Sequence, residues 1–271
     1  MLSTSMNISQ GFMVAKMAIK EVGFEIERLS AMKSQLKNLY YIGDTKLLNK
    51  PSVAIVGARK ANQYSKQLTF QLASELSKRG VVVISGAAMG IDAMAHKGAG
   101  ADNTIAVVAN GLDIRYPKVN EPLIKEIERN GLVMSQFQEG FQATKWSFPV
   151  RNELVVALAD SVVIAQADIK SGSMVSAQIA KDQGKEIFVF PHRLGESSGT
   201  DALVQEGSAK VIYDINQFCN QYGIVAQDSE SIEIAENAIS YEDAVAKYGD
   251  KLFEYELEGK VVVKEGMVFR V

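Results

Sequence analysis

Seven short apolar runs rich in β-branched residues recur along the chain, and nearly all lead into a stretch with helical periodicity. They are SVAIVG (52–57), VVVIS (81–85), TIAVVA (104–109), LVMS (132–135), SVVIA (161–165), EIFVF (186–190) and KVIY (210–213). Their apolar residues do not alternate with polar ones, so each strand must bury both faces, as parallel strands sandwiched between helices do. The intervening helices are expected near 61–79, 90–100, 120–130, 150–159, 173–183 and 200–207, several of them closed by a glycine: Gly80, Gly131, Gly184 and Gly207. This alternation predicts an α/β fold with a doubly wound, mostly parallel sheet. A chain of 271 residues, 47% of them hydrophobic, is long enough for one such unit and an appendage.

The flanks read differently. Residues 8–38 have helical periodicity and LYYIG (39–43) suits an edge strand, so residues 1–50 are expected to pack on the sheet unit, 51–222, as an extension. After Phe218 the polar, acidic stretch QYGIVAQDSESIEIAENAIS has the composition of a linker, with a boundary near residue 225. Residues 225–271 then read as a helix over YEDAVAKYGDKLFEYELEG, followed by VVVK, a Glu265-Gly266 turn and MVFRV as a hairpin. A helix followed by a hairpin suggests half of a winged helix, a small α+β unit.

Net charge is −3, but it is segregated: residues 1–50 and 51–150 carry +3 each, 151–221 carry −3 and 222–271 carry −6. Bulk charge therefore argues against nucleic-acid binding by the whole chain, while a basic cleft in the front half remains open. The acidic C-terminal unit is better suited to docking proteins than to contacting phosphates. The single cysteine, Cys219, cannot form an internal disulfide, and it has no metal-ligand spacing with His96 or His192. No run of 18 apolar residues and no signal peptide is found, so neither export nor membrane insertion is expected, and a reducing cytoplasm fits.

Ligands of open α/β sheets sit beyond the carboxyl ends of the strands. After Gly57 no glycine follows until Gly80, so the dinucleotide motif G-x-G-x-x-G is absent, as is G-x-x-x-x-G-K-[ST] everywhere. No cofactor and no metal is expected. Ser85, Gly86, Ala87 and Gly90 lead into a helix whose exposed N–H groups suit an anion, although Asp92 there could equally serve as a local cap. Ser171, Gly172 and Ser173 repeat that geometry. The long loop from Gln136 to Pro149 runs into Arg151 and places Lys145, Trp146, Phe148 and Arg151 within seven residues, rings interleaved with cations as single-stranded nucleic acid requires. Phe148 could instead plug the core, Trp146 cover it, and Arg59 and Arg151 serve as structural ion-pair partners. No G-x-S-x-G elbow surrounds Ser85 or Ser173, so no catalytic triad is assigned.

Taken in order, VAIVGARK (53–60), SGAAMGIDAMAH (85–96), NGLDIRYPKVN (110–120), FPVRNE (148–153), SGSM (171–174) and GTDALVQEG (199–207) resemble the DprA (Smf) family of DNA-processing proteins over about residues 38–218. The tail LFEYELEGKVVVKEGMVFRV resembles the end of that family's small winged-helix-like domain. The resemblance implies an extended Rossmann fold in 51–222, a homodimer, single-stranded DNA held at the strand ends, and protection of incoming DNA and its loading with the RecA recombinase during natural transformation, without enzymatic turnover. It places phosphate contacts at Arg59 and Lys145, the loop aromatic at Phe148, the Arg-Asn pair at Arg151 and Asn152, and the small-residue turns at Gly57, Gly86, Gly90, Ser171 and Gly172.

Several positions depart from the family pattern. Ala58 stands for a serine, Gln136 and Gln166 for acids, and Glu153 for a second arginine, which is expected to remove a positive charge near the pocket. The rival reading is a Rossmann-type nucleotide-binding enzyme of the phosphoribohydrolase kind, using the same turns for a monophosphate, although its glycine-rich turn and catalytic acid are missing. A third is an adaptor that works through the acidic C-terminal unit.

Overall fold

Strands that are apolar on both faces need cover on both faces, and a computed structural model shows how the chain supplies it. It describes residues 18–33, 36–223, 238–264 and 266–270. In chain order the larger part runs β1 (Lys20–Glu21), β2 (Tyr40–Gly43), β3 (Ser52–Val56), α1 (Gln63–Lys78), β4 (Val82–Ser85), α2 (Ile91–Ala99), β5 (Thr104–Val107), α3 (Glu121–Asn130), β6 (Leu132–Ser135), α4 (Ser147–Leu158), β7 (Ser161–Ile164), α5 (Gly172–Asp182), β8 (Ile187–Val189), α6 (Ser198–Gln205), β9 (Lys210–Val211) and α7 (Ile215–Cys219).

All seven expected strands are present, and they form one sheet in the order β1-β2-β6-β5-β4-β3-β7-β8-β9. β3 to β9 are parallel, while β2 pairs antiparallel with β6, and β1 with β2. Along β3 the buried side chains alternate between two cores. Val53 and Ile55 join Leu72, Leu76 and Ile91 from α1 and α2, whereas Ala54 and Val56 join Leu154, Val155 and Leu158 from α4. This is the doubly wound arrangement. Helix α1 is capped by Asn62, whose side chain accepts the Ser65 N–H at 2.8 Å.

The periodic stretch read as a helix over 8–38 lies partly outside the described residues, namely at 1–17 and 34–35. Where it is described, β1 and a 3-10 turn at Glu27–Ala31 stand in its place. Val22, Ile26, Leu29 and Met32 each reach the core, but the Val22 N–H bonds to the Leu39 carbonyl at 2.8 Å. Pairing with the sheet edge overrides the helical spacing.

Beyond Gly223, the linker 224–237 and Glu265 lie outside the described residues. The C-terminal part has β10 (Ile239–Ser240), α8 (Tyr241–Tyr248), α9 (Asp250–Leu257), β11 (Val261–Lys264) and β12 (Met267–Arg270), with a sheet ordered β10-β12-β11 around Ala244, Leu252, Val261 and Val268. The single helix expected over 241–259 is two helices. Gly249, at φ +53, turns the chain between them. No helix of the described residues is long and apolar enough to cross a membrane.

Candidate functional site

Leaving β3, the chain winds to β4 on one side, and only after β6 does it return to β7 on the other. Loops that part in this way open a crevice at the carboxyl end of the sheet. A cleft of about 400 Å³ fills it, walled by Gly57–Lys60 after β3, Gly86 and Ala88 after β4, Phe148, Arg151 and Asn152 of α4, and Asp168 and Ser171–Ser173 after β7.

The two expected anion-binding turns differ. At α5 the N-cap Ser171 makes no side-chain capping bond; the Met174 N–H goes to the Ser171 carbonyl at 3.2 Å, and the N–H groups of Gly172 and Ser173 have no hydrogen-bond partner among the described residues. The buried hydroxyls of Ser171 and Ser176 also lack a hydrogen-bond partner among the described residues, and both residues line the cleft. A Cβ added at Gly172 would meet nothing within 4 Å. Free donors at the positive end of a helix dipole, opening on a cleft, make an anion site.

At α2 the corresponding donors are already used. The Asp92 carboxylate accepts the Ala88 N–H at 3.3 Å, and the Ile91 N–H goes to the Ala58 carbonyl at 3.2 Å. Ser85 donates its hydroxyl to the Ile55 carbonyl at 2.6 Å, while Asn120 donates to the carbonyls of Ala87 and Ala88 at 3.0 Å each. Ala87 is fully buried with φ +56, and a Cβ at Gly90, φ +82, would overlap the Ala58 carbonyl oxygen. Of the turn expected to hold a phosphate, Ser85, Ala87 and Gly90 are thus packed and bonded within the chain, while Gly86 and Ala88 line the cleft. Burial pushes the Asp92 carboxyl above its ordinary value, with Arg151 and the N–H groups of Ala88 and Gly86 opposing.

The cations divide likewise. Arg59 is exposed, and its guanidinium lies 4.7 Å from the centre of the Phe148 ring, with no carboxylate at ion-pair distance among the described residues. Phe148 is half-buried and lines the cleft rather than plugging the core. Arg151, expected as a phosphate contact, is only 4% exposed. Its Nη1 donates to the carbonyls of Gly86 and Val107 and its Nε to Asn152 Oδ1, so most of its fork is committed to holding the ends of β4 and β5. Gly86 has to be glycine for this, since a Cβ there would overlap the guanidinium. Arg151 Nη2 finds no hydrogen-bond partner among the described residues. Asn152 donates to the Gly172 carbonyl at 3.3 Å, tying α4 to the α5 turn. Gly57 is packed against Ile91, where a Cβ would crowd that side chain.

Lys145 is exposed on the turn before α4 and does not line the cleft. Beside it Trp146, 57% exposed, packs edge-on against Phe137 and Phe141. Glu153 also lies outside the lining and accepts the Lys33 N–H at 2.8 Å, so the charge expected beside the pocket faces the N-terminal extension. Gln166 accepts from the Asn62 N–H and donates to the Glu196 carbonyl; a carboxylate could not make the second bond. Gln136 donates to the Val150 carbonyl. The cleft also gathers Lys60, Asp168 and Ser176, which the sequence reading did not assign. The first two sit on strand-end loops, and Ser176 falls one helical turn after Gly172, which puts it on the same face.

Two buried groups away from the cleft are structural. His96, on α2, pairs through Nδ1 with Thr104 Oγ1 at 2.7 Å, and burial pulls its pKa down to about 3. Burial pushes the Cys219 thiol up to about 12.

Residues 24–223 match the family described as DNA recombination-mediator protein A. The chain is 36% identical over 177 residues to DNA processing protein DprA of Streptococcus pneumoniae, covering 64% of this chain and 62% of that protein, and 35% identical over 180 residues to DprA of Bacillus subtilis, covering 65% and 60%. It thus spans about three fifths of the length of these curated relatives. Among solved structures, DNA processing protein A from Helicobacter pylori, a protein described for its single-stranded DNA binding mode, superposes with a TM-score of 0.74 at 44% identity, covering 76% of this chain and 95% of that one. DprA from S. pneumoniae superposes at 0.69 and 32% identity, covering 78% and 76%. The match spans the sheet from β2 to β9 and every loop that walls the cleft, and on it the chain belongs to the DNA recombination-mediator protein A (DprA/Smf) family.

Proposed function

We propose that this protein binds single-stranded DNA without sequence preference along the strand-end cleft. Phosphates contact Arg59, Lys145 and the N–H and hydroxyl donors of Ser171–Ser173, Arg151 and Asn152 hold the wall, and Phe148 offers a face to a base. The observation that carries this reading is the Arg59–Phe148 pair, a carboxylate-free cation on an accessible ring, standing across the cleft lining from the α5 turn. Cations for phosphates and rings for bases are what an unpaired strand needs, and duplex DNA hides its base faces. The H. pylori relative, described for its single-stranded DNA binding mode, supports the same ligand class. Membership in a family described as recombination mediators supports passing that strand on to recombination. We further propose that the recipient is the RecA recombinase during natural transformation, and that the protein acts as a cytoplasmic homodimer that performs no turnover.

Fluorescence anisotropy of a labelled oligo-dT, with duplex competitor, tests the reading. Tight binding that resists the duplex is expected. Absence of binding at low salt, together with release of base from a nucleoside monophosphate, would favour the nucleotide-enzyme alternative. RecA filament assembly on protein-coated strands tests the delivery step.

A further inference from the structure

A second, smaller hollow adjoins the Arg59–Phe148 pair and is lined in addition by Met89, Tyr116 and Pro117. Arg59, Gly86, Ala88, Phe148 and Arg151 line both this hollow and the main cleft, so the two are neighbours across one ridge. Tyr116 belongs to none of the turns or cations assigned above. It is 45% exposed, as is Met89, and its hydroxyl has no hydrogen-bond partner among the described residues. A large aromatic left with an accessible face and an uncommitted hydroxyl is not explained by packing alone.

Its ring centre lies 6.2 Å from that of Phe148, with the two planes tilted by 41°. Stacked bases are spaced by about 3.4 Å, so a base held between two rings needs about 7 Å. The spacing of the two ring centres is below that and their planes are tilted, so a base enters between them only as the rings part and turn parallel. Arg59, whose guanidinium lies 4.7 Å from the centre of the Phe148 ring, lines both the hollow and the cleft and so adjoins the place where the phosphate of the same nucleotide would lie.

Resting on the reading of the cleft as a single-stranded DNA site, we propose that Tyr116 is a second base-stacking residue, forming with Phe148 a slot that holds one base while its phosphate occupies the cleft. Every base presents a π-face, so the slot adds affinity without sequence preference, and the flexible Met89 side chain at its rim accommodates purines and pyrimidines alike.

The test compares Tyr116→Phe, Tyr116→Leu and the unaltered full chain on oligo-dT and on the same oligonucleotide with abasic sugars, at one salt concentration. Tyr116→Phe is expected to bind oligo-dT within about twofold of the unaltered chain. Tyr116→Leu is expected to lose roughly 5- to 150-fold, the range of one stacked base. On the abasic strand the three should bind alike. Equal oligo-dT binding by all three would overturn the proposal while leaving the DNA reading in place, as would a loss in Tyr116→Leu of the same size on both strands. Failure of the unaltered chain to bind either strand would remove the DNA reading itself. Thermal melting of each variant identifies a folding defect; if Tyr116→Leu has one, Tyr116→Trp decides, with quenching of the introduced indole by oligo-dT but not by the abasic strand expected, and no quenching overturning the slot.

Discussion

Phe148 and His96 show how one chain uses a ring in the open and a ring in the core. Truncating Phe148 to alanine should weaken oligo-dT binding by about 1 to 3 kcal/mol if a base stacks on it, with little change in melting temperature, because the ring is only half-buried at the cleft wall. A lowered melting temperature with unchanged binding would make it a packing residue instead. His96 bears on pH. Thr104 Oγ1 donates to the Val83 carbonyl at 2.7 Å, so the imidazole must donate from Nδ1 to that oxygen and stays neutral in the core. Its folded pKa of about 3 lies below the unfolded value near 6.5. Its contribution to stability is therefore fully present above pH 6.5 and is lost as pH falls towards 3, by up to about 1.4 kcal/mol per pH unit. Asp92 runs the other way, since its raised folded pKa favours the folded state most at low pH and loses that effect as pH rises through the folded pKa. Urea melts of the native chain and His96→Asn across pH 7 to 4 should show the variant with the shallower acid loss, and equal slopes would count against this role.

At the scale of elements, α5 and α2 present the same small-residue opening in the sequence and opposite chemistry in the fold. Removing the unpartnered Ser176 hydroxyl by Ser176→Ala takes away a buried polar group that otherwise costs on the order of 1 to 3 kcal/mol. The variant is expected to melt no lower than the native chain and to bind oligo-dT several-fold more weakly, a pairing that a purely structural serine would not give. The strands were legible because a run buried on both faces leaves an unmistakable pattern, and the glycines after the helices fixed most helix ends. The pairing of Lys20 and Glu21 with Tyr41 and Tyr40 was not legible, since the partner of an edge strand is a long-range fact, and Gly249 breaks a helix that local periodicity carries straight through. Within the site, the loops after β3 and β7 could be placed from the alternation alone, whereas α4 begins at Ser147, ahead of the expected start near 150, and carries Phe148 in its first turn. That Arg151 would be committed to the Gly86 and Val107 carbonyls, and Asp92 to its own turn, depends on distances between loops far apart in sequence. Ser176 carries no motif of its own, Tyr116 falls within NGLDIRYPKVN (110–120) without being singled out there, and only the fold brings them beside Gly172 and Phe148.

For the whole molecule, charge decides how binding responds to salt. The chain is net acidic, yet the cleft region draws on the basic front half, and the acids in its lining are Asp168, which is exposed, and Asp92, which is buried against its own turn. A protein of this balance should bind a strand through a few local contacts and not through a long-range field, with salt dependence set by the number of cations that touch phosphate. Arg59 and Lys145 are the exposed cations assigned to that role, one on the cleft wall and one on the turn leading into α4. The measurement that tests this most directly is the slope of log affinity against log salt for oligo-dT with the native chain, Arg59→Ala and Lys145→Ala. The expected result is weaker binding by both variants and a slope shallower by about 0.7 for each lost contact. Unchanged affinity and slope in both variants would contradict the assignment of the strand-end cleft as the DNA site.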